Sequence, residues 1–196
     1  MAKARSLGLW TAVLALCAAN LALVWQNREL KIRRPPTSSS VRPAVGQTLR
    51  SITGVGQNDR VVRVTFPSED RSTLLVALSG GCPFCAENQD IWRKLSTAAV
   101  AAGWRVVWVS RDPAQLAYTQ RFEGDLPGIR VSEPAYGTYL QLGLTLVPHT
   151  LIVSSRGQIE QVWGGVLAPQ ARTIEMFLRK YDQRMAAALP SLVGNP

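Results

Sequence analysis

The chain is poor in the side chains that build metal sites. Its 196 residues include three cysteines and one histidine. A structural zinc needs about four ligands, usually two cysteine pairs or one pair with histidines. That scarcity argues against zinc, and no metal is expected. No internal repeat is visible, so a repeat architecture is set aside. Acidic residues are scarce at one end only. Residues 1–50 hold eight Lys/Arg and a single acid, Glu29, whereas residues 51–196 hold fourteen Lys/Arg against twelve Asp/Glu. Of the formal charge of +9, a net +7 therefore sits in the first fifty residues. The remainder is near neutral and has no basic stripe, so nucleic acid is not an expected partner. The six tryptophans show no period. Trp92, Trp104 and Trp108 are expected to fill the core and its edges.

Hydrophobic residues make up 46% of the chain, enough for a real core. The length suits one domain with an appendage. The appendage is apolar. Leu7 to Trp25 carries no charge, and only Thr11 and Asn20 are clearly polar. Its length is close to the roughly 20 residues of a spanning helix, and Trp10 and Trp25 stand near its ends, where amphipathic aromatics settle. Cys17-Ala18-Ala19 would serve as a signal-peptide cleavage site. The apolar run continues past it, which favours an uncleaved anchor. Lys3 and Arg5 before the run resemble an export signal, whereas Arg28, Lys31, Arg33 and Arg34 after it favour a cytoplasmic domain under the positive-inside rule. The expectation is a single-pass anchor in the inner membrane with the domain on the exported, periplasmic side, against the local charge. The expected organisation is an anchor over residues 1–28, a Pro/Ser-rich linker over 29–44, one domain over 45–189 and a tail over 190–196.

Within the domain the pattern alternates between strands and helices. Gly46 to Phe66 reads as short strands, with Val62, Val64 and Phe66 alternating. Leu74 to Leu78 and Trp104 to Ser110 read as buried strands. Ala86 to Ala102 reads as a helix, with Ile91, Trp92, Leu95 and Ala99 on one face and Gly103 as its stop. Asp112 opens a second helix to about Phe122. Ile129 to Val131 is a short strand and Pro134 to Leu142 a short helix. Thr150–Val153 and Ile159–Trp163 form a hairpin, and Pro169 to Ala188 the last helix. This order predicts an α/β sandwich: a central mixed sheet with flanking helices, plus one N-terminal transmembrane helix.

The chemistry lies in Gly81-Cys82-Pro83-Phe84-Cys85, at a strand-to-helix junction. A Cys-X-X-Cys there is the layout of a redox dithiol. A helix N-terminus favours a thiolate through its unpaired N–H groups and partial positive charge. Pro83 suits the first helical turn. Cys82 is the expected attacking thiol and Cys85 the resolving one. Two buried, unreactive core cysteines are the plain alternative.

This pattern resembles the thioredoxin superfamily, most nearly the membrane-tethered TlpA/ResA-like thiol–disulfide oxidoreductases with a redoxin domain. The resemblance covers about Gly46 to Met185. It is carried by the Cys82–Cys85 motif, by Leu146-Val147-Pro148-His149-Thr150 with the hairpin that follows, and by Gly164-Gly165. It implies a thioredoxin-like fold and a cis proline at Pro148, with the Val147 backbone exposed for an extended substrate segment. Pro83, Phe84, Val147 and Pro148 would then contact substrate. It also implies protein thiols or disulfides as substrates, a membrane or thioredoxin-like redox partner, no cofactor, and a place in cytochrome c maturation or cell redox homeostasis. The chain departs from that family in four places. Gly81 replaces the usual Trp, Val76 the buried acid, Asn88 a Glu and Asp90 a helix-kinking Pro. Glu87, Asp90 and His149 are left as candidates for the proton relay, each with an ordinary surface or strand role as the alternative. Two other functions stay open: a tethered assembly or metal-delivery factor, and a peroxiredoxin-like peroxidase.

Overall fold

The computed structural model describes residues 42–56, 59–68, 70–79, 81–111 and 126–193, with Leu16, Cys17, Asn20 and Leu23. The expected membrane span, most of the linker and the helix from Asp112 lie outside the described residues. Among the described residues, no helix is long and apolar enough to cross a membrane. The chain divides into two compact units, Met1–Ser39 and Ser40–Pro196. The four described residues of the first unit are helical.

The second unit is built on one seven-stranded mixed sheet. Its strands are β1 (Ser51–Val55), β2 (Val61–Thr65), β3 (Thr73–Leu78), β4 (Arg105–Ser110), β5 (Ile129–Ser132), β6 (His149–Val153) and β7 (Ile159–Gly164). They lie in the order β2-β1-β5-β4-β3-β6-β7. β3, β4 and β5 run parallel, and the other neighbouring pairs are antiparallel. Every residue of β3 is buried. That explains why Thr73–Leu78 is an apolar run rather than an alternation, since a central strand covered on both faces has no solvent side.

The helices are α1 (Pro83–Glu87), α2 (Gln89–Ala101), α3 (Tyr136–Gln141), α4 (Ala171–Tyr181) and α5 (Gln183–Ala188). Two hydrophobic clusters fill the two sides of the sheet. One joins Leu74, Val76 and Leu78 of β3 to Cys85, Trp92 and Leu95, and to Ile174, Leu178 and Met185 of α4 and α5. The other joins Leu75 and Ala77 to Leu142, Leu144, Leu151 and Val153. Trp92 and Trp108 are fully buried and meet edge-to-face, with centroids 6.2 Å apart. Full burial of a large apolar side chain contributes about 1.5–3 kcal/mol, so the first cluster anchors the helix that follows the dithiol.

Two elements differ from the pattern-based expectation. The helix expected over Ala86–Ala102 is two helices, broken at Asn88. Gly103 does terminate it, with φ +81, a conformation glycine adopts without strain. The last helix, expected as one piece to Ala188, begins as a 3-10 turn over Ala168–Gln170 and breaks again at Asp182. Both breaks have long-range partners that a periodicity does not reveal. Beyond α5, Leu192 is buried, and Glu175 accepts hydrogen bonds from the Leu192 and Val193 amides.

Candidate active site

The dithiol sits beyond the C-terminal end of β3. The Cys82 amide donates to the Ser79 carbonyl at 3.2 Å. Cys82 is the extended residue that starts α1 (φ −90°, ψ 112°), and Pro83 is the first helical residue, where a missing N–H costs nothing. One turn on, the Cys85 amide donates to the Cys82 carbonyl at 3.1 Å.

The two thiols are free and differ in environment. Cys82 is half-buried and Cys85 is 1% exposed. The Cys82 thiol reaches the Val147 carbonyl at 3.7 Å. Burial, helped by a hydrogen bond to Cys82 and by that neighbour's charge, pushes the Cys85 thiol up to about 12; a backbone hydrogen bond at Ser79 opposes this. Cys85 is therefore a neutral thiol at physiological pH, able to donate its S–H to Cys82. The strand beneath supplies no counter-effect. Val76 is fully buried in the same cluster as Cys85, at the position where the family that the sequence resembles would carry an acid.

The Val147–Pro148 peptide bond is cis. A second cis bond, Phe66–Pro67, was not anticipated from the sequence. Beside the cis proline lies an open groove of about 460 Å³, lined by Arg42, Phe84, Leu146, Val147, Pro148, His149, Gly164 and Gly165. Phe84 is 51% exposed and Leu146 41% exposed, so the groove presents apolar side chains to solvent. The structure thus brings together Cys82, Cys85, Phe84, Val147 and Pro148, with exposed Pro83 next to Cys82.

It does not bring together the three relay candidates. Glu87 and Asp90 are exposed, and Asp90 pairs with Arg93 at 3.0 Å as an ordinary helix-surface ion pair. His149 is buried, opposite Ala77 in the β3–β6 register. Ala77 belongs to the cluster on the far side of the sheet from Cys85. Strand side chains alternate between faces, so His149 faces away from the dithiol helix, while Thr150 faces it and accepts a hydrogen bond from Trp92 Nε1 at 2.9 Å. Burial, and then the charge of Arg42, push the His149 imidazole below its ordinary value, and a contact with the Gly143 backbone opposes this. Neither ring nitrogen makes a well-formed hydrogen bond.

Asn88 is the residue that the sequence reasoning passed over. Its side chain is fully buried. Its amide donates to the Gly165 carbonyl at 2.8 Å, and its carbonyl accepts from the Leu167 amide at 2.7 Å. One amide thereby ties the dithiol helix to the loop whose Gly165 lines the groove. A signal was present: Cys85, Asn88, Trp92, Leu95 and Ala99 recur at helical spacing, so Asn88 is a polar residue on an apolar stripe.

No family model matches this sequence, and no curated protein matches it. Solved structures do. The thioredoxin domain of a thiol-disulfide oxidoreductase from Bacteroides vulgatus is similar at 19% identity, with a TM-score of 0.53, over 68% of this chain and 97% of that one. A Chlorobium tepidum protein described as a thiol:disulfide interchange protein DsbE is similar at 18% identity, with a TM-score of 0.55, over 76% and 99%. Peroxidoxin BcpB from Mycobacterium tuberculosis is similar at 14% identity, with a TM-score of 0.53, over 78% and 100%. Identities this low speak for architecture, and the architecture of this chain is the thioredoxin-like fold.

Proposed function

We propose that the protein is a thiol–disulfide oxidoreductase acting on exported protein substrates, held at the inner membrane by Leu7–Trp25 with its redox domain on the periplasmic side. The observation that carries the reading is the asymmetry of the pair: a half-buried Cys82 beside an open groove, backed by a buried Cys85 with a raised pKa. In the reducing direction, the Cys82 thiolate attacks one sulfur of a substrate disulfide. A Cys82–substrate disulfide forms, and the other substrate sulfur leaves as a thiolate. Cys85 then loses its proton and attacks Cys82 Sγ, releasing the second substrate thiol and closing the Cys82–Cys85 disulfide. Two electrons pass from the protein to the substrate. The oxidising direction is the reverse. An extended substrate segment would pair with the backbone at Val147, next to the attacking sulfur.

Cys82→Ser in the full chain is expected to abolish exchange with a peptide disulfide, and Cys85→Ser to accumulate mixed disulfides. Normal turnover by Cys82→Ser would sink the mechanism. The likeness to a peroxidoxin supports a second reading, peroxide reduction through Cys82. Faster consumption of hydrogen peroxide than of peptide disulfide by the same preparation would favour it. The membrane placement rests on the charge-free run alone. A reporter active only outside the cytoplasm, fused after Pro196, is expected to be active. Silence there, with a cytoplasmic reporter active at the same site, would place the domain in the cytosol.

A further inference from the structure

The groove beside Cys82 carries a charge as well as an apolar lip. Arg42 is exposed and is the one charged side chain among the lining residues, His149 being held neutral by burial and by Arg42 itself. Phe84 and Leu146 supply exposed apolar surface. Gly164 and Gly165 contribute bare backbone to the lining. A side-chain carbon placed on Gly165, whose φ is +74°, would meet nothing within 4 Å. A carbon on Gly164 would make ordinary contact, 3.4 Å from His149 Nδ1, so the bareness there reflects the absent side chain and not a tight fit. A segment lying in the groove would meet backbone along one side, apolar side chains along another and a single cation at the rim.

From this arrangement we infer that the groove selects cysteine-bearing segments in which a carboxylate lies near the reacting cysteine, paired with Arg42, and an apolar residue rests on Phe84 and Leu146. The inference rests on the thiol–disulfide reading and names the substrate class for it. Charge complementarity at an exposed site acts mainly on encounter and orientation, and it weakens with salt. An exposed ion pair contributes about 0.2–1 kcal/mol, so the preference is a modest one.

The test uses the full chain and three peptide disulfides, identical except for Glu, Gln or Lys two residues from the cysteine. The expected order of kcat/KM is Glu, then Gln, then Lys. A spread of about 1.4- to 5-fold between Glu and Gln corresponds to that energy, and it should collapse at high salt. Arg42→Glu should invert the order, and Arg42→Ala should flatten it. Arg156→Glu, an equal charge change on an exposed turn away from the groove, should leave the order as it is. Equal rates on the three peptides, or the same order in Arg42→Glu as in the native chain, would overturn the inference while leaving the thiol–disulfide reading standing. No exchange with any peptide or with a small uncharged disulfide would remove both.

Discussion

Two helices that the residue pattern runs straight are each interrupted by one polar side chain, and the interruptions differ in kind. Asn88 breaks the dithiol helix with a neutral amide that is fully buried. It is satisfied at both ends, by the Gly165 carbonyl and the Leu167 amide. Asp182 breaks the C-terminal helix with a partly exposed carboxylate. It accepts from the Arg184 and Met185 amides, as a helix cap does, and from Trp104 Nε1 at 2.8 Å. The first break is long-range and fixes the groove. The second is mainly local and starts a new helix. A buried break needs a group that both donates and accepts, whereas a half-exposed break tolerates a charge because water shares its solvation.

Exchanging the two chemistries should expose this difference. The largest effect is expected at Asn88. Asn88→Ala leaves the half-buried Gly165 carbonyl and the buried Leu167 amide without their partner, a loss of about 2–4 kcal/mol. Asn88→Asp should be at least as damaging, because a carboxylate accepts from Leu167 but cannot donate to Gly165. Denaturant unfolding followed by tryptophan fluorescence measures both, and a loss below that of Asp182→Ala would contradict the buried clamp. The effect at Asp182 should be smaller. Asp182→Ala removes the cap and strands the Trp104 N–H, about 1–2 kcal/mol, while Asp182→Asn keeps the accepting oxygen and should cost less. Partial burial works to raise the Asp182 carboxyl, but the hydrogen bonds from Trp104, Met185 and Arg184 outweigh it and hold the group below its usual range. The stability from Asp182 is therefore present above its unfolded value near 3.8 and is lost as pH falls through the folded value. The native chain should lose its advantage over Asp182→Asn on acidification. A constant difference down to low pH would show that charge plays no part in the cap.

The same contrast explains what was legible in the sequence. β3, β4, β6 and β7 follow from apolar runs bounded by turn residues, and their order implies a mixed sheet. The dithiol follows from spacing alone, and its neighbour Pro148 from the resemblance. The break at Asn88 was illegible because its partners, Gly165 and Leu167, lie far along the chain; the Asp182 cap is local, and only its Trp104 partner was out of reach of the pattern. The position of His149 was open for another reason. Proximity to Pro148 in sequence suggested proximity to the sulfurs, but a strand turns successive side chains to opposite faces, and only the register with Ala77 decides which face His149 takes. The environment of Cys85 was half legible. Val76 announced the missing acid, whereas the buried packing that drives the thiol upward is a property of the assembled core.

The Asn88 clamp has a further consequence. The helix that bears the sulfurs and the loop that lines the groove are joined through one buried side chain, at the carbonyl of one residue and the amide of another. On the thiol–disulfide reading proposed above, a groove braced in this way would change little when a substrate segment enters it. Its complementarity is set in advance, so the protein surrenders little conformational freedom on association. On that reading the entropic burden would fall on the substrate segment, which would have to be extended or locally unfolded to pair with the Val147 backbone. A cysteine held in a helix or packed in a finished core would be passed over without any contact that recognises its identity. Discrimination of that sort would depend on the folding state of the partner and not on its sequence.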